Sequence, residues 1–174
     1  ALPISLLKTG VAPQGSVTGP MAEVVFRSTQ YLSDADAQAI AVYLRALPQR
    51  AIAPAEVVKP SAATLERGAK VYEQHCAQCH GDNGEGKPGA FPALAGNRAV
   101  VLQDPTNLVR VVLQGGYLPA TAGNPRPHGM PPFMQVLGDD DVAAVSTFVR
   151  NAWGNQAPAV GTIGVYRARE RRGS

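Results

Sequence analysis

The chemistry of this chain is concentrated in five consecutive residues, Cys76-Ala77-Gln78-Cys79-His80. The sequence holds two cysteines in all, and both lie in this motif. Two thiols three positions apart at the end of a helix can reach the two vinyl groups on one edge of a porphyrin, and the next residue then places an imidazole beneath the iron. The C-x-x-C-H spacing is typical of c-type haem attachment. We therefore predict one covalent haem c on Cys76 and Cys79, with His80 as an iron ligand.

Two other kinds of site use a cysteine pair at this spacing. A redox-active dithiol would leave the following histidine unexplained, and no strand pattern leads into the motif. A zinc site would need further ligands, and a second cysteine pair is absent, although His75 and His128 could take part. Both alternatives stay open from the motif alone, but haem attachment accounts for more of it.

The composition favours a small, loop-rich fold. A length of 174 residues exceeds one ordinary domain, and the 18 glycines and 15 prolines indicate many turns. Because both cysteines lie in one motif, no disulfide framework is expected. The net charge of +3 is modest, and no nucleic-acid partner is expected. No apolar run is long enough to cross a bilayer and no signal-peptide pattern is present, so we expect a soluble chain, already processed or cut from a longer one.

Helical periodicity dominates and strand signals are weak, so the predicted fold class is all-α. Capping residues and apolar spacing predict four helices. Their expected spans are Ser33 to Leu47, Ala62 to Gln74, Asp104 or Thr106 to Gly115, and Gly138 to about Ala152.

An internal repeat indicates how the chain is divided. The segment 6–10 resembles 111–116, and Leu32-Ser33-Asp34-Ala35-Asp36 matches residues 137–141 at an offset of 105. We therefore expect residues 1–48 to be the C-terminal half of a preceding domain without a haem motif, and 49–60 to be a linker. Residues 61–155 would form a complete domain and 156–174 a solvated basic tail. The alternative to a repeat is that two helices capped by acidic residues resemble each other by chance.

Beyond the attachment motif, the chain resembles class I cytochromes c. Gly68 and Tyr72 lie on the helix before Cys76 where that family has a small residue and an aromatic, and Phe148 and Trp153 would be the aromatics at the last helix. The resemblance implies that the first and last helices cross closely. Ordinary helix packing would also account for these four residues taken alone.

Two further segments carry the resemblance. Residues 91–96 match the family's proline loop. The resemblance implies that the Pro92 carbonyl accepts a hydrogen bond from the His80 ring and that Leu94 packs on the haem. The family pattern Gly-Met-Pro-x-Phe is matched by 129–133, which implies that Met130 is the sixth iron ligand. Met134 is the alternative ligand.

A closer resemblance is to the end of the multihaem cytochrome subunits that serve periplasmic membrane-bound dehydrogenases of alcohols, sugar acids and aldehydes. It is carried by the segments 31–36 and 150–155. Met21 holds the place in the first half that Met130 holds in the second, although no C-x-x-C-H motif precedes it.

The resemblance implies an electron carrier that is not itself an enzyme. It would pass electrons from a dehydrogenase subunit or neighbouring haem to a quinone, an oxidase or a soluble acceptor, at the periplasmic face of the membrane. Membrane association would come only through a complex, and residues 1–48 would pack on the other domain or on a second copy of the chain. The alternative is a haem enzyme of peroxidase type, or one acting on a small inorganic substrate, with a displaceable axial ligand and His128 as its acid or base.

Overall fold

A computed structural model of the chain describes residues 2–48 and 59–170, and helices dominate both parts, so the predicted all-α class is confirmed. The first part contains α1 (Leu2–Thr9), β1 (Val11–Ala12), β2 (Gly15–Ser16), α2 (Pro20–Arg27), a 3₁₀ turn (Thr29–Tyr31) and α3 (Asp34–Ala46). The second contains α4 (Ala62–His75), α5 (Ala77–His80), α6 (Thr106–Gln114), β3 (Gly116–Tyr117), β4 (Gly129–Met130), α7 (Asp139–Val149) and α8 (Thr162–Glu170).

The four predicted helices are present, with bounds that differ by a few residues. Ser33 caps α3 by accepting a hydrogen bond from the Asp36 amide, and Ser61 caps α4 in the same way. Helix α7 ends at Val149, three residues before the predicted end, because the chain turns at once and Trp153 takes a left-handed backbone conformation. Most of the predicted linker, 49–58, lies outside the described residues.

Part of the segment predicted as a solvated basic tail is folded instead. Residues 162–170 form α8, which packs against α6 and α7 and buries Val165 and Ala168. Those two apolar residues stand three apart, on one face of the helix, among arginines that dominate the local composition. Because the segment is rich in charged residues, its sequence did not indicate that one face of the helix is buried.

The contact that organises the second part is the crossing of α4 and α7. A Cβ atom on Gly68 would lie 2.3 Å from the Ala144 carbonyl oxygen and 2.6 Å from Phe148 Cβ. Only glycine allows this approach. Tyr72 fills the adjacent space, with ring centroids 5.6 Å from Phe148 and 4.9 Å from Trp153. The packing role predicted for these four residues therefore agrees with the structure.

The two halves of the internal repeat have the same local geometry. Helices α1 and α6 both end at a glycine with positive φ, Gly10 and Gly115, whose amides bond back to Leu6 and Val111. An antiparallel hairpin follows each, β1–β2 in the first half and β3–β4 in the second. The first hairpin lies against the second domain, because a Cβ on Gly10 would meet Pro119 at 2.3 Å.

No helix in the two described ranges is long and apolar enough to cross a membrane.

Gly68→Ala should destabilise the protein by about 3 kcal/mol, because the added methyl group meets backbone that cannot move without separating α4 from α7. Gly164→Ala is the matched control. That glycine lies in α8 with open space around its Cβ position, so the substitution should stabilise by up to about 1 kcal/mol. Chemical denaturation of the holoprotein measures both, and equal stabilities for the two variants would contradict the close crossing.

Candidate haem site

One cavity of about 410 Å³ collects the residues predicted from sequence to hold or touch the haem. All six line it: Cys76, Cys79, His80, Pro92, Leu94 and Met130. Most of its remaining wall is apolar, and includes Leu108, Val112, Leu118, Phe133, Val145 and Val149. The residues therefore fit a flat apolar macrocycle joined to the chain on one side, and they include an imidazole and a thioether that could ligate its iron. Their roles as ligands stay predictions.

Cys76 lies at the junction of α4 and α5, and Cys79 lies within α5. The Cys76 amide bonds to the Tyr72 carbonyl, 2.8 Å away, and the His80 amide bonds to the Cys76 carbonyl at 2.9 Å, so the motif stays helical through the histidine. Burial, and secondarily the charge of Cys79, raise the pKa of the Cys76 thiol to about 11. A reactive dithiol needs a lowered thiol pKa, so the raised pKa of Cys76 disfavours the dithiol alternative.

The His80 ring is oriented by the proline loop. Its side chain is buried, and Nδ1 lies 2.9 Å from the carbonyl oxygen of Pro92, which accepts the Nδ1 proton. Nε2 is thereby left as the nitrogen with a free lone pair. Burial lowers the pKa of His80, against the opposing effect of the Pro92 hydrogen bond. The imidazole is therefore neutral at physiological pH, which is the form that binds a metal.

The proline loop is held in turn by Asn155, which the sequence analysis did not identify as a site residue. Its Oδ1 accepts from the Gly96 amide at 3.0 Å, and its Nδ2 donates to the carbonyls of Leu94 and Val149 at 3.1 and 2.7 Å. Asn155 is 5% exposed, so these three bonds are made away from water. They tie the Pro92 and Leu94 loop to the end of α7. The residue lies outside any periodic pattern, and its position directly after the Trp153 turn was the available signal.

Met130 reaches the cavity from a hairpin. It lies opposite Gly116 in the pairing of β4 with β3, and its carbonyl oxygen would be 2.3 Å from a Cβ on Gly115. Met134 packs against the apolar core instead, and its amide donates to the Leu113 carbonyl at 3.0 Å. Of the two methionines considered as the sixth ligand, Met130 is the one that lines the cavity.

The first part of the chain also contributes to this cavity, through Ser16 and Thr18. Their positions depend on the hairpin β1–β2, whose connecting residue Gln14 accepts a hydrogen bond from the Arg98 amide at 3.1 Å. In strand register Ser16, and not Met21, corresponds to Met130. Met21 lies in the first turn of α2 and is 50% exposed, so its equivalence to Met130 rests on sequence order.

Both histidines considered for other chemistry line the cavity but pack on aromatic rings. His75 meets Phe133 edge-on at a centroid distance of 5.9 Å, and His128 lies 5.0 Å from Phe91. Among the residues that the structure describes, no group of three or more His, Cys, Asp or Glu side chains is arranged to hold a metal ion. The zinc alternative therefore has no support in the described ranges.

Comparisons with known proteins agree with this geometry. A model of the cytochrome c family matches residues 65–153. Cytochrome c-552 of Thermus thermophilus is 38% identical over 91 residues, which is 51% of this chain and 69% of that protein. The alignment therefore covers two thirds of a small cytochrome.

Longer relatives align with nearly the whole chain. The cytochrome c subunit of alcohol dehydrogenase (quinone) from Gluconacetobacter polyoxogenes is 39% identical over 170 residues, 91% of this chain and 36% of the subunit. The gluconate 2-dehydrogenase cytochrome c subunit of Pantoea cypripedii is 34% identical, over 90% of this chain and 37% of its own length. The chain thus spans little more than a third of these subunits, and the predicted resemblance is confirmed. The chain belongs to the cytochrome c family.

Proposed function

We propose that the chain is an electron carrier with one haem c, joined to Cys76 and Cys79 and ligated by His80 and Met130. Membership of the cytochrome c family means haem-mediated electron transfer; the ligand pair and the acceptor are the proposed part. The observation that carries the proposal is that His80, already oriented by Pro92, lines the same apolar cavity as Met130.

The protein side chains supply binding, orientation and exclusion of water. Bound haem supplies a one-electron iron couple. His80, kept neutral by burial and oriented by the Pro92 carbonyl, offers Nε2 as a ligand, and the soft Met130 thioether raises the reduction potential relative to bis-imidazole ligation. With His80 and Met130 both bound to the iron, little would have to move when the iron changed oxidation state. This favours a carrier over an enzyme with an open coordination site.

The relatives indicate the class of partner. They are named as cytochrome c subunits of alcohol, gluconate and fructose dehydrogenases, and we propose that this chain likewise receives electrons from a dehydrogenase subunit or a neighbouring haem. A quinone, an oxidase or a soluble cytochrome would be the acceptor.

We place the mature protein at the periplasmic face of the membrane, because thioether bonds to haem are made outside the cytoplasm. Cell fractionation checks this location, and holoprotein recovered in the cytosol would contradict it.

One face of α3 carries apolar residues that are partly exposed. At the offset of 105 residues, Ile40 and Leu44 of α3 correspond to Val145 and Val149 of α7. The two α7 residues are buried against the haem cavity, at 2% and 5% exposure, whereas Ile40 and Leu44 are 36% and 44% exposed. We propose that this face of α3 is covered by a haem-bearing segment of a longer polypeptide, and by a second copy when that segment is missing.

Met130→Ala should abolish the weak far-red absorption of a methionine sulfur bound to ferric iron, and should lower the reduction potential. Met134→Leu, the matched control, should leave both nearly unchanged, because Met134 packs in the core and leucine replaces it at similar volume. Absorption spectra and redox titration of the holoproteins measure the two effects. Survival of the band in Met130→Ala with its loss in Met134→Leu would reverse the assignment.

The chain should self-associate through α3 and bind a single haem. Leu44→Glu should yield a monomer with an unaltered haem spectrum, since a carboxylate on the exposed apolar face opposes its burial. Leu102→Glu, at another exposed leucine, should leave the association unchanged. Sedimentation velocity and the haem-to-protein ratio check these outcomes. A monomeric wild-type chain, or a haem-to-protein ratio of two, would contradict the interpretation of residues 2–48 as half of a cytochrome domain without haem.

A further inference from the structure

Helix α8 lies outside the range that matches the cytochrome c family, yet it packs against two helices of that domain. Val165 and Ala168 are buried there and fix the helix. In its last turn, Arg169 points back toward the segment 134–139, which joins the Met130 hairpin to α7. Helix α8 therefore contacts the loop that follows the proposed sixth ligand.

All three nitrogens of the Arg169 guanidinium bond to this segment. Nε donates to Asp139 Oδ1 at 2.7 Å, Nη1 to the Met134 carbonyl at 2.5 Å and Nη2 to the Leu137 carbonyl at 3.0 Å. The Arg169 side chain is 25% exposed and that of Asp139 31%, so the ion pair is partly shielded from water. A planar guanidinium holds three acceptors in fixed directions, which the ammonium of a lysine cannot do.

The loop needs such an anchor because it lacks amide donors where it leaves the cavity. Pro131 and Pro132 follow Met130 directly and have no N–H group. The next anchors are the amides of Phe133 and Met134, which donate to the carbonyls of Val112 and Leu113 on α6, at 3.1 and 3.0 Å. Helix α6 thus holds one side of the segment, and Arg169 holds the other.

We propose that Arg169 is a positioning residue that holds the Met130 loop in its ligating conformation. The proposal rests on the proposed function, in which Met130 binds iron. For Met130 to leave the iron, the loop must move away from the cavity, and such a movement strains the three bonds that Arg169 makes. The arginine therefore lowers the population of the conformation in which the sixth position is free for another ligand.

The test compares Arg169→Gln with Arg167→Gln in the ferric holoprotein. Both substitutions remove one positive charge from α8, but Arg167 is exposed on the helix surface. Imidazole, added from outside, competes with Met130, and loss of the far-red band reports its binding. Because the substitution releases the three bonds that hold the loop, Arg169→Gln should tighten apparent imidazole binding about tenfold. Arg167→Gln should change it less than about twofold, which is well under 1 kcal/mol. Equal affinities in the two variants would overturn the proposal.

Arg169→Lys keeps the positive charge but loses the planar guanidinium. Its affinity for imidazole should lie between those of the wild type and Arg169→Gln. If Arg169→Gln does not fold, Asp139→Ala removes one of the three bonds in an otherwise intact loop and should tighten imidazole binding to a smaller extent. An unchanged affinity in these two variants would also overturn the proposal.

Amide hydrogen exchange separates this proposal from the assignment of Met130. The amides of Val136 and Leu137 both bond to the Phe133 carbonyl, at 3.0 and 2.9 Å, and report whether the loop is closed. They should exchange faster in Arg169→Gln than in Arg167→Gln. If exchange is faster in Arg169→Gln but the wild-type protein has no far-red band, ligation by Met130 is refuted. The role of Arg169 in holding the loop would still stand. Unchanged exchange would refute the role of Arg169 even where Met130 is the ligand.

Discussion

The close approach of α4 to α7 at Gly68 is the constraint on which the rest of the second domain depends. It places the C-terminal end of α4, and with it Cys76 and His80, at a fixed position relative to α7. One face of α7 then forms a wall of the cavity through Val145 and Val149. A larger residue at Gly68 would move the attachment motif away from the wall that the haem must contact. A backbone contact between two helices thereby fixes the attachment motif relative to the cavity wall.

A chain of polar contacts carries this constraint from α7 to the proposed ligands. Asn155, just beyond α7, fixes the loop that holds Pro92, and the Pro92 carbonyl orients His80. On the opposite side, Arg169 connects α8 to the loop that follows Met130. Each proposed ligand is thus supported by a buried or partly buried side chain from the C-terminal region. Bonds of this kind are strong where water is excluded, and leaving one of their partners unsatisfied is costly.

Sequence patterns predicted the residues whose chemistry is local. Cys76, Cys79 and His80 are adjacent because one macrocycle edge has to be reached from one helix end, and the prolines after Met130 restrict the chain within a few residues. Asn155, Ser16 and Thr18 could not be found in this way, because their roles arise from contacts with segments 50 or more residues away. Helices α1 and α2 are too short to show a clear apolar period, at eight residues each. In α8, the arginines made the sequence look solvent-exposed, so the burial of two positions was not predicted.

The two halves of the repeat show that a local pattern determines a helix but not its burial. Helices α3 and α7 both begin after a capping position followed by aspartates, and both carry apolar residues at matching positions. Helix α7 buries that face because α4 and the cavity lie against it, whereas α3 contacts α1 and leaves Ile40 and Leu44 partly in water. Fully burying an exposed side chain of this kind is favourable by about 1.5 to 3 kcal/mol, and covering the remaining exposed part of Ile40 and Leu44 would add only a fraction of that. The same pattern therefore gives a buried face in one helix and a half-exposed face in the other, and the difference lies in the elements that pack against each.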